Sequence, residues 1–264
     1  MIRHAKILGR YIKHTMHRRS RFRIHSPFVY DLHKNVISSR TIFPDFAQIE
    51  KLRADLLSRY RFIKKVDLGA RAGEMPFSQR FVRVKDIARH ASVSPAKGQF
   101  IYRLVNHYKP RHIIELGTSF GISTMYMAMG YRNSHVTTIE GCPDTAHIAE
   151  HNFNRLSLGN IEVVCGSFDE KLPEILKDAG TVDMAFFDGN HKKEATLHYF
   201  ELFLNHVNEN SILLFDDIHW SKGMIEAWEN IRQHPSVVVS IDLFSMGILF
   251  FRKELSKEDF ILRF

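Results

Sequence analysis

Ile113-Ile-Glu-Leu-Gly-Thr-Ser-Phe-Gly-Ile-Ser123 decides how the chain is read. It follows Lys109-Pro110 and opens as a short apolar run, the pattern of a strand buried in a parallel sheet. It then turns through Gly117 and Gly121 into a helical segment, Ile122 to Met129. Glycine lets a backbone approach a ligand closely, and a helix N-terminus favours a polar or anionic group. A Gly-x-x-x-Gly turn also serves plain packing, so its meaning depends on what lies outward from it.

Outward lies a series of apolar runs that end in acids. Glu140 ends Val136-Thr-Thr-Ile-Glu140, and Asp169 follows Ile161-Glu-Val-Val-Cys-Gly-Ser-Phe. Asp188 ends Met184-Ala-Phe-Phe-Asp188, and Asp216 and Asp217 end Ile212-Leu-Leu-Phe-Asp-Asp217. Helices are expected between them, over 121–130, 143–157, 170–178, 191–207 and 221–233. Strand alternating with helix implies an α/β fold, a parallel sheet with helices on both faces. Val237 to Leu243 and Gly247 to Arg252 flank a short turn and read as an antiparallel hairpin. The expected sheet is therefore Rossmann-like and seven-stranded, parallel except for that hairpin. In open α/β sheets ligands bind beyond the carboxyl ends of the strands, so the acids point at one functional rim.

These residues resemble the class I S-adenosylmethionine-dependent methyltransferases. Glu115-Leu-Gly-x-x-x-Gly121 is similar to their first motif, Glu140 to the acid that binds the ribose hydroxyls, and Gly166-Ser-Phe-Asp169 to the adenine-contacting loop. Lys97-Gly-Gln99, Pro110 and Glu115-Leu-Gly117 resemble the run leading into that motif in catechol O-methyltransferases. Asp188-Gly-Asn-His191 with Asp216-Asp217 resembles the macrocin O-methyltransferase group, where three acids hold a divalent metal. The resemblance spans roughly residues 95 to 252 and leaves out the first 90 or so. It implies cofactor contacts at Glu115, Gly117, Ser119, Gly121, Glu140, Ser167, Phe168 and Asp188, and metal ligands at Asp188, Asp216 and Asp217. Oxygen donors suit Mg²⁺, Ca²⁺ or Mn²⁺, and such an ion lowers the pKa of a bound hydroxyl. His191, three residues after Asp188, is the implied general base, since imidazole titrates near neutrality. Lys192 and His219 are its neighbouring rivals, and Trp220 is more simply a core residue than a substrate platform.

Composition bounds the rest. The chain has 264 residues, 44% of them hydrophobic, enough for a sizeable core. No apolar run reaches the length of a membrane span, and no signal-peptide core follows the N-terminus. Two cysteines, Cys142 and Cys165, suit a reducing, cytoplasmic setting. The formal net charge of +8 is uneven: residues 1 to 65 carry 16 Lys/Arg against 4 Asp/Glu, and the remainder is mildly acidic.

The N-terminal region is accordingly expected to be a basic helical extension or lid, residues 1–93, ahead of the cofactor-binding domain, 94–264. Ile2, Ala5, Leu8, Ile12 and Met16 fall at helical spacing, and Arg18-Arg-Ser-Arg-Phe-Arg23 is a basic cluster. Such a helix fits a lid, a homodimer element or contact with an anionic membrane surface. Ser26-Pro27 should cap a helix through Val36, Phe46 to about Ile63 should form another, and Ser94-Pro95 should cap one through Tyr108. Val66-Asp-Leu-Gly-Ala-Arg-Ala-Gly73 imitates the cofactor turn but lacks the acid-ended strand after it, and Gln79 to His90 reads as basic and helical. Together these are expected to form a loop and short helix over the substrate mouth.

Three functions compete. The first is a metal-assisted O-methyltransferase for a small or glycosylated molecule. The second is a nucleic-acid methyltransferase using the basic region; no Asn-Pro-Pro-Tyr-like sequence follows Asp188 to support amino-group chemistry. The third is a non-catalytic cofactor-binding module, disfavoured by the paired acids at 216 and 217.

Overall fold

The computed structural model describes residues 9–12, 14–16, 24–66 and 80–264. In chain order its elements are α1 (Pro27–Leu32), which continues into a π-helical turn (His33–Ile37), α2 (Pro44–Ser58), β1 (Phe62–Lys65), β2 (Arg80–Arg83), α3 (Val84–His90) and α4 (Pro95–Tyr108). There follow β3 (His112–Leu116), α5 (Ile122–Gly130), β4 (His135–Glu140), α6 (Pro143–Arg155), β5 (Ile161–Cys165) and α7 (Phe168–Ala179). The chain continues with β6 (Met184–Phe187), α8 (Lys193–Leu204), β7 (Ile212–Asp216), α9 (Lys222–Gln233), β8 (Val239–Asp242), β9 (Met246–Phe250) and β10 (Glu258–Ile261). Residues 9–12 and 14–16 are also helical. The basic cluster at 18–23 and the turn expected after Val66 lie outside the described residues. The chain divides into two compact units: one takes Met1–Ser39 with Gly180–Phe264, the other Arg40–Ala179.

In the unit of residues 40–179, β4 lies between β3 and β5, all parallel, with Ile113 opposite Val136 and Val136 opposite Ile161. Helix α5 packs against β4, and every residue from Ile122 to Gly130 is buried. Its apolar residues run all round, so it has no solvent face to offer. Helix α4 starts where the sequence sets it: Ser94 Oγ accepts from Lys97 N at 3.3 Å and Pro95 takes the first turn. It ends at Lys109, left-handed at φ 53°, just before Pro110. The two helices touch through Gly98, where a Cβ would collide with the Tyr126 ring.

In the unit of residues 1–39 and 180–264 the strand order is β10-β8-β9-β7-β6. β6 and β7 are parallel, and β9 is antiparallel to both β7 and β8. β6, β7, β8 and β9 are buried along their whole lengths. The expected hairpin is therefore present, but an eighth strand adds to the expected seven. β10 runs parallel to β8, pairing Phe260 with Ile241 and burying Phe260. It is too short, and too polar at Glu258 and Asp259, to announce itself by periodicity.

Three local expectations shift. The helix expected from Phe46 to Ile63 runs from Pro44 to Ser58. The basic stretch from Gln79 is not helical throughout: Arg80–Arg83 pairs with Phe62–Lys65 as a two-stranded ribbon, and only Val84–His90 is helical. The helix after Asp188 starts at Lys193, because Asn190 is left-handed at φ 50° and Lys192 is still extended.

Candidate functional site

The turn after β3 is built for a close approach. Gly117, Ser119 and Gly121 all take positive φ, at 107°, 48° and 79°. A Cβ at Gly121 would also strike the Phe153 ring, so glycine is required there twice over. Asn152 Nδ2 on α6 donates to Phe120 O at 3.0 Å and holds the turn down. Ser119 Oγ is buried and has no hydrogen-bond partner among the described residues. An orphaned buried hydroxyl is costly unless something outside the chain completes it.

Glu140, at the end of β4, faces that turn. Its Oε2 accepts from Ser119 N at 2.8 Å and its Oε1 from Cys142 N at 3.0 Å. Burial raises the carboxyl's pKa above its ordinary value, opposed by the N–H groups of Cys142 and Ser119. The residues the sequence singles out at 117, 119, 121 and 140 are therefore brought together.

Glu115 has a different setting. It is fully buried, and its carboxylate accepts from Ser123 Oγ, Thr124 Oγ1 and, at 2.7 Å, Thr138 Oγ1. Burial pushes its carboxyl up to about 7 against the pull of these hydroxyls, and the Glu140 charge adds to the rise. Sequence reasoning passed over Ser123, Thr124 and Thr138; the available signal was hydroxyl residues set within otherwise apolar runs.

Ser167 caps α7: its Oγ accepts from Glu170 N at 3.3 Å and its carbonyl from Lys171 N at 2.9 Å. Gly166, just before it, donates to Glu140 O at 3.0 Å. The loop expected to meet adenine therefore hangs from the backbone of Glu140, with Phe168 as the first residue of the helix.

The remaining acids belong to the other unit. β6 pairs with β7 so that Phe187 faces Phe215, which sets Asp188 and Asp216 at adjoining strand ends. Asp216 is buried, and Asp217 turns left-handed at φ 55° while its N–H donates to Ser245 O at 2.8 Å. His191 Nε2 stands 3.9 Å from Asp188 Oδ1, both side chains mostly buried. As a donor set, three carboxylates suit a hard divalent cation. Among the described residues, however, no group of three or more His, Cys, Asp or Glu side chains is gathered as an ion would need.

His219 is drawn elsewhere. Its Nε2 lies 2.8 Å from Asp242 Oδ2, and its ring stacks on Phe244 at 5.0 Å. His14 Nε2 lies 3.0 Å from the other oxygen, Asp242 Oδ1, and Arg10 Nη1 donates to His219 O at 3.0 Å. Burial alone would raise the Asp242 carboxyl, but hydrogen bonds from His14 and His219 hold it well below the usual carboxylate range. This His-Asp-His bridge was not read from the sequence, because His14 lies 228 residues from Asp242 and His219 lies 23 from it, both beyond any local pattern.

Residues 114–218 match the family described as a methyltransferase domain. Over this segment the chain is similar to methyltransferase domains. Among curated proteins the resemblance is to catechol O-methyltransferases. The one from Niastella koreensis is 31% identical over 130 residues, 48% of this chain and 58% of that protein. The one from Mycobacterium tuberculosis is 27% identical over 136 residues, 51% and 60% of the two chains. The chain thus spans less than two thirds of the length of these relatives. An O-methyltransferase from Bacillus cereus, solved in complex with SAH, superposes with a TM-score of 0.56 at 20% identity, over 84% of this chain and 96% of that one, and so shares its fold.

Proposed function

We propose that this chain is an S-adenosylmethionine-dependent O-methyltransferase whose acceptor is a hydroxyl of a small or glycosylated molecule. The observation that carries the reading is the tie between Ser119 N–H and Glu140, beside an orphaned Ser119 Oγ. The matched segment lies inside residues 94–264, taken as the catalytic domain, with 1–93 as its extension. Two free cysteines, one buried and one exposed, agree with a reducing, cytoplasmic setting.

When bound, S-adenosylmethionine supplies a methyl group activated on a sulfonium. The backbone of the Gly117–Gly121 turn would receive it, with the Glu140 carboxylate accepting from ribose hydroxyls and the Gly166–Phe168 loop bordering the adenine. Much of the rate in such a transfer comes from holding the acceptor oxygen in line. His191 would take the acceptor hydroxyl's proton at Nδ1, the ring nitrogen away from Asp188, whose Oδ1 lies 3.9 Å from Nε2. Asp188, Asp216 and Asp217 are the residues that would hold a divalent cation. Among the described residues their side chains are not gathered around one point.

Calorimetric titration of the full chain with S-adenosylmethionine tests the reading. Saturable one-site binding, followed by transfer of labelled methyl to a catechol-type acceptor, is expected. No cofactor binding to the wild type would remove it.

A further inference from the structure

β1 and β2 form an antiparallel ribbon that pairs Phe62 with Arg83, Ile63 with Val82 and Lys64 with Phe81. Side chains alternate between the faces of a ribbon, so Phe62, Lys64, Phe81 and Arg83 share one face. Ile63 on the opposite face is buried. The edge of β1 is anchored too: Lys64 N–H donates to the Asp144 carboxylate at 3.0 Å, and Lys64 O accepts from Cys142 Sγ at 3.4 Å. Val84 N–H closes the base of the ribbon on Arg61 O at 2.9 Å.

The shared face is bare. Phe62 is 59% exposed and Phe81 74% exposed. Tyr60, 69% exposed, carries the Lys85 ammonium 3.7 Å over its ring. Arg61, Lys64 and Arg83 are exposed around them. Residues 59–65 and 80–90 together hold eight Lys/Arg and one acid, Asp86. The ribbon is thus a fixed platform of aromatic rings set among cations.

Two kinds of anionic partner have the matching charge, and the exposed apolar side chains of the same unit separate them. Among the described residues of the unit 40–179, the exposed large apolar side chains are Ile42, Tyr60, Phe62 and Phe81. Ile42 has no ring for a nucleobase to stack on. Lipid accepts aliphatic and aromatic groups alike, and an anionic headgroup layer adds attraction for each Lys or Arg.

We propose that the β1–β2 ribbon docks this protein on an anionic lipid surface, with Phe62 and Phe81 entering the acyl boundary and Arg61, Lys64 and Arg83 meeting the headgroup phosphates. The surface does not depend on the methyltransferase reading.

The test is co-sedimentation of the full chain with vesicles of phosphatidylcholine alone and of phosphatidylcholine mixed with phosphatidylglycerol. Binding to the mixed vesicles only, weakening as salt rises, is expected. The double variant Phe62→Ser/Phe81→Ser should lower that partition about tenfold or more, since burying one large apolar side chain can alone be worth such a factor. Both rings are exposed, so its far-UV circular dichroism and melting temperature should match the wild type. Equal binding to both vesicle types, or binding that the double variant leaves unchanged, overturns the proposal. So does a labelled single-stranded oligonucleotide that binds through Phe62 and Phe81 while vesicles do not.

Discussion

The backbone N–H of Ser119 sits 2.8 Å from Oε2 of Glu140, so the glycine turn after β3 and the acid ending β4 act as one piece. Ser119 is itself left-handed at φ 48°, a conformation that a non-glycine residue adopts at a cost. The hydrogen bond to Glu140 helps hold it there and keeps the turn open for a ligand.

Glu140→Ala should therefore weaken S-adenosylmethionine binding by about 1–3 kcal/mol, the scale of a lost hydrogen bond to a charged group. Titration calorimetry reads this directly. Unchanged affinity would detach Glu140 from the cofactor, even if the turn still binds it.

Glu115 should make stability fall as pH rises. Its carboxyl is pushed up to about 7 in the fold, against 4.5 for the ordinary group. A raised carboxyl pKa means the native state holds the proton more tightly than the unfolded chain does. The contribution is present below about pH 4.5 and is lost progressively up to about 7, a total of roughly 3 kcal/mol. Urea denaturation at several pH values across that window should show the slope. Glu115→Gln, which cannot ionise, should flatten it.

Asp217→Asn should leave the fold and cofactor binding intact, because asparagine tolerates a left-handed backbone. If a divalent cation assists the acceptor, the variant should lose about a hundredfold or more in turnover. Excess EDTA should reproduce the loss, and Mg²⁺ or Mn²⁺ should restore the wild type only. Full turnover in EDTA would falsify metal assistance and leave the proton to an unaided base. In either case His191→Ala should cut kcat by about 10²–10⁴ with cofactor affinity unchanged.

Asp242→Ala should destabilise the protein by about 3 kcal/mol, because it strips from His14 and His219 the carboxylate their ring nitrogens share in the interior. Chemical denaturation measures the loss. The lowered Asp242 pKa sets the sign with pH: this stabilisation is present above about pH 4 and fades as the solution becomes more acidic. Destabilisation of a few tenths of a kcal/mol would mean the bridge is only a surface contact.

The sequence by itself determined the elements whose cause is local. β3, its turn and α5 follow from an apolar run, two glycines and a segment apolar all round. α4 follows from Ser94-Pro95, and the acids at 140, 188, 216 and 217 are placed by the ends of apolar runs. Each rests on neighbours within a few positions, which periodicity and capping rules can see. The tertiary structure alone decided where the polar side chains spend their hydrogen bonds. Glu115 turns into a pocket of hydroxyls from α5 and β4, and His219 is claimed by Asp242 and Phe244. β10 forms because β8 offers it a pairing edge, and β1 and β2 pair although 14 residues separate them in the sequence. These outcomes depend on which distant groups burial leaves in need of a partner, and a linear pattern carries no record of that need.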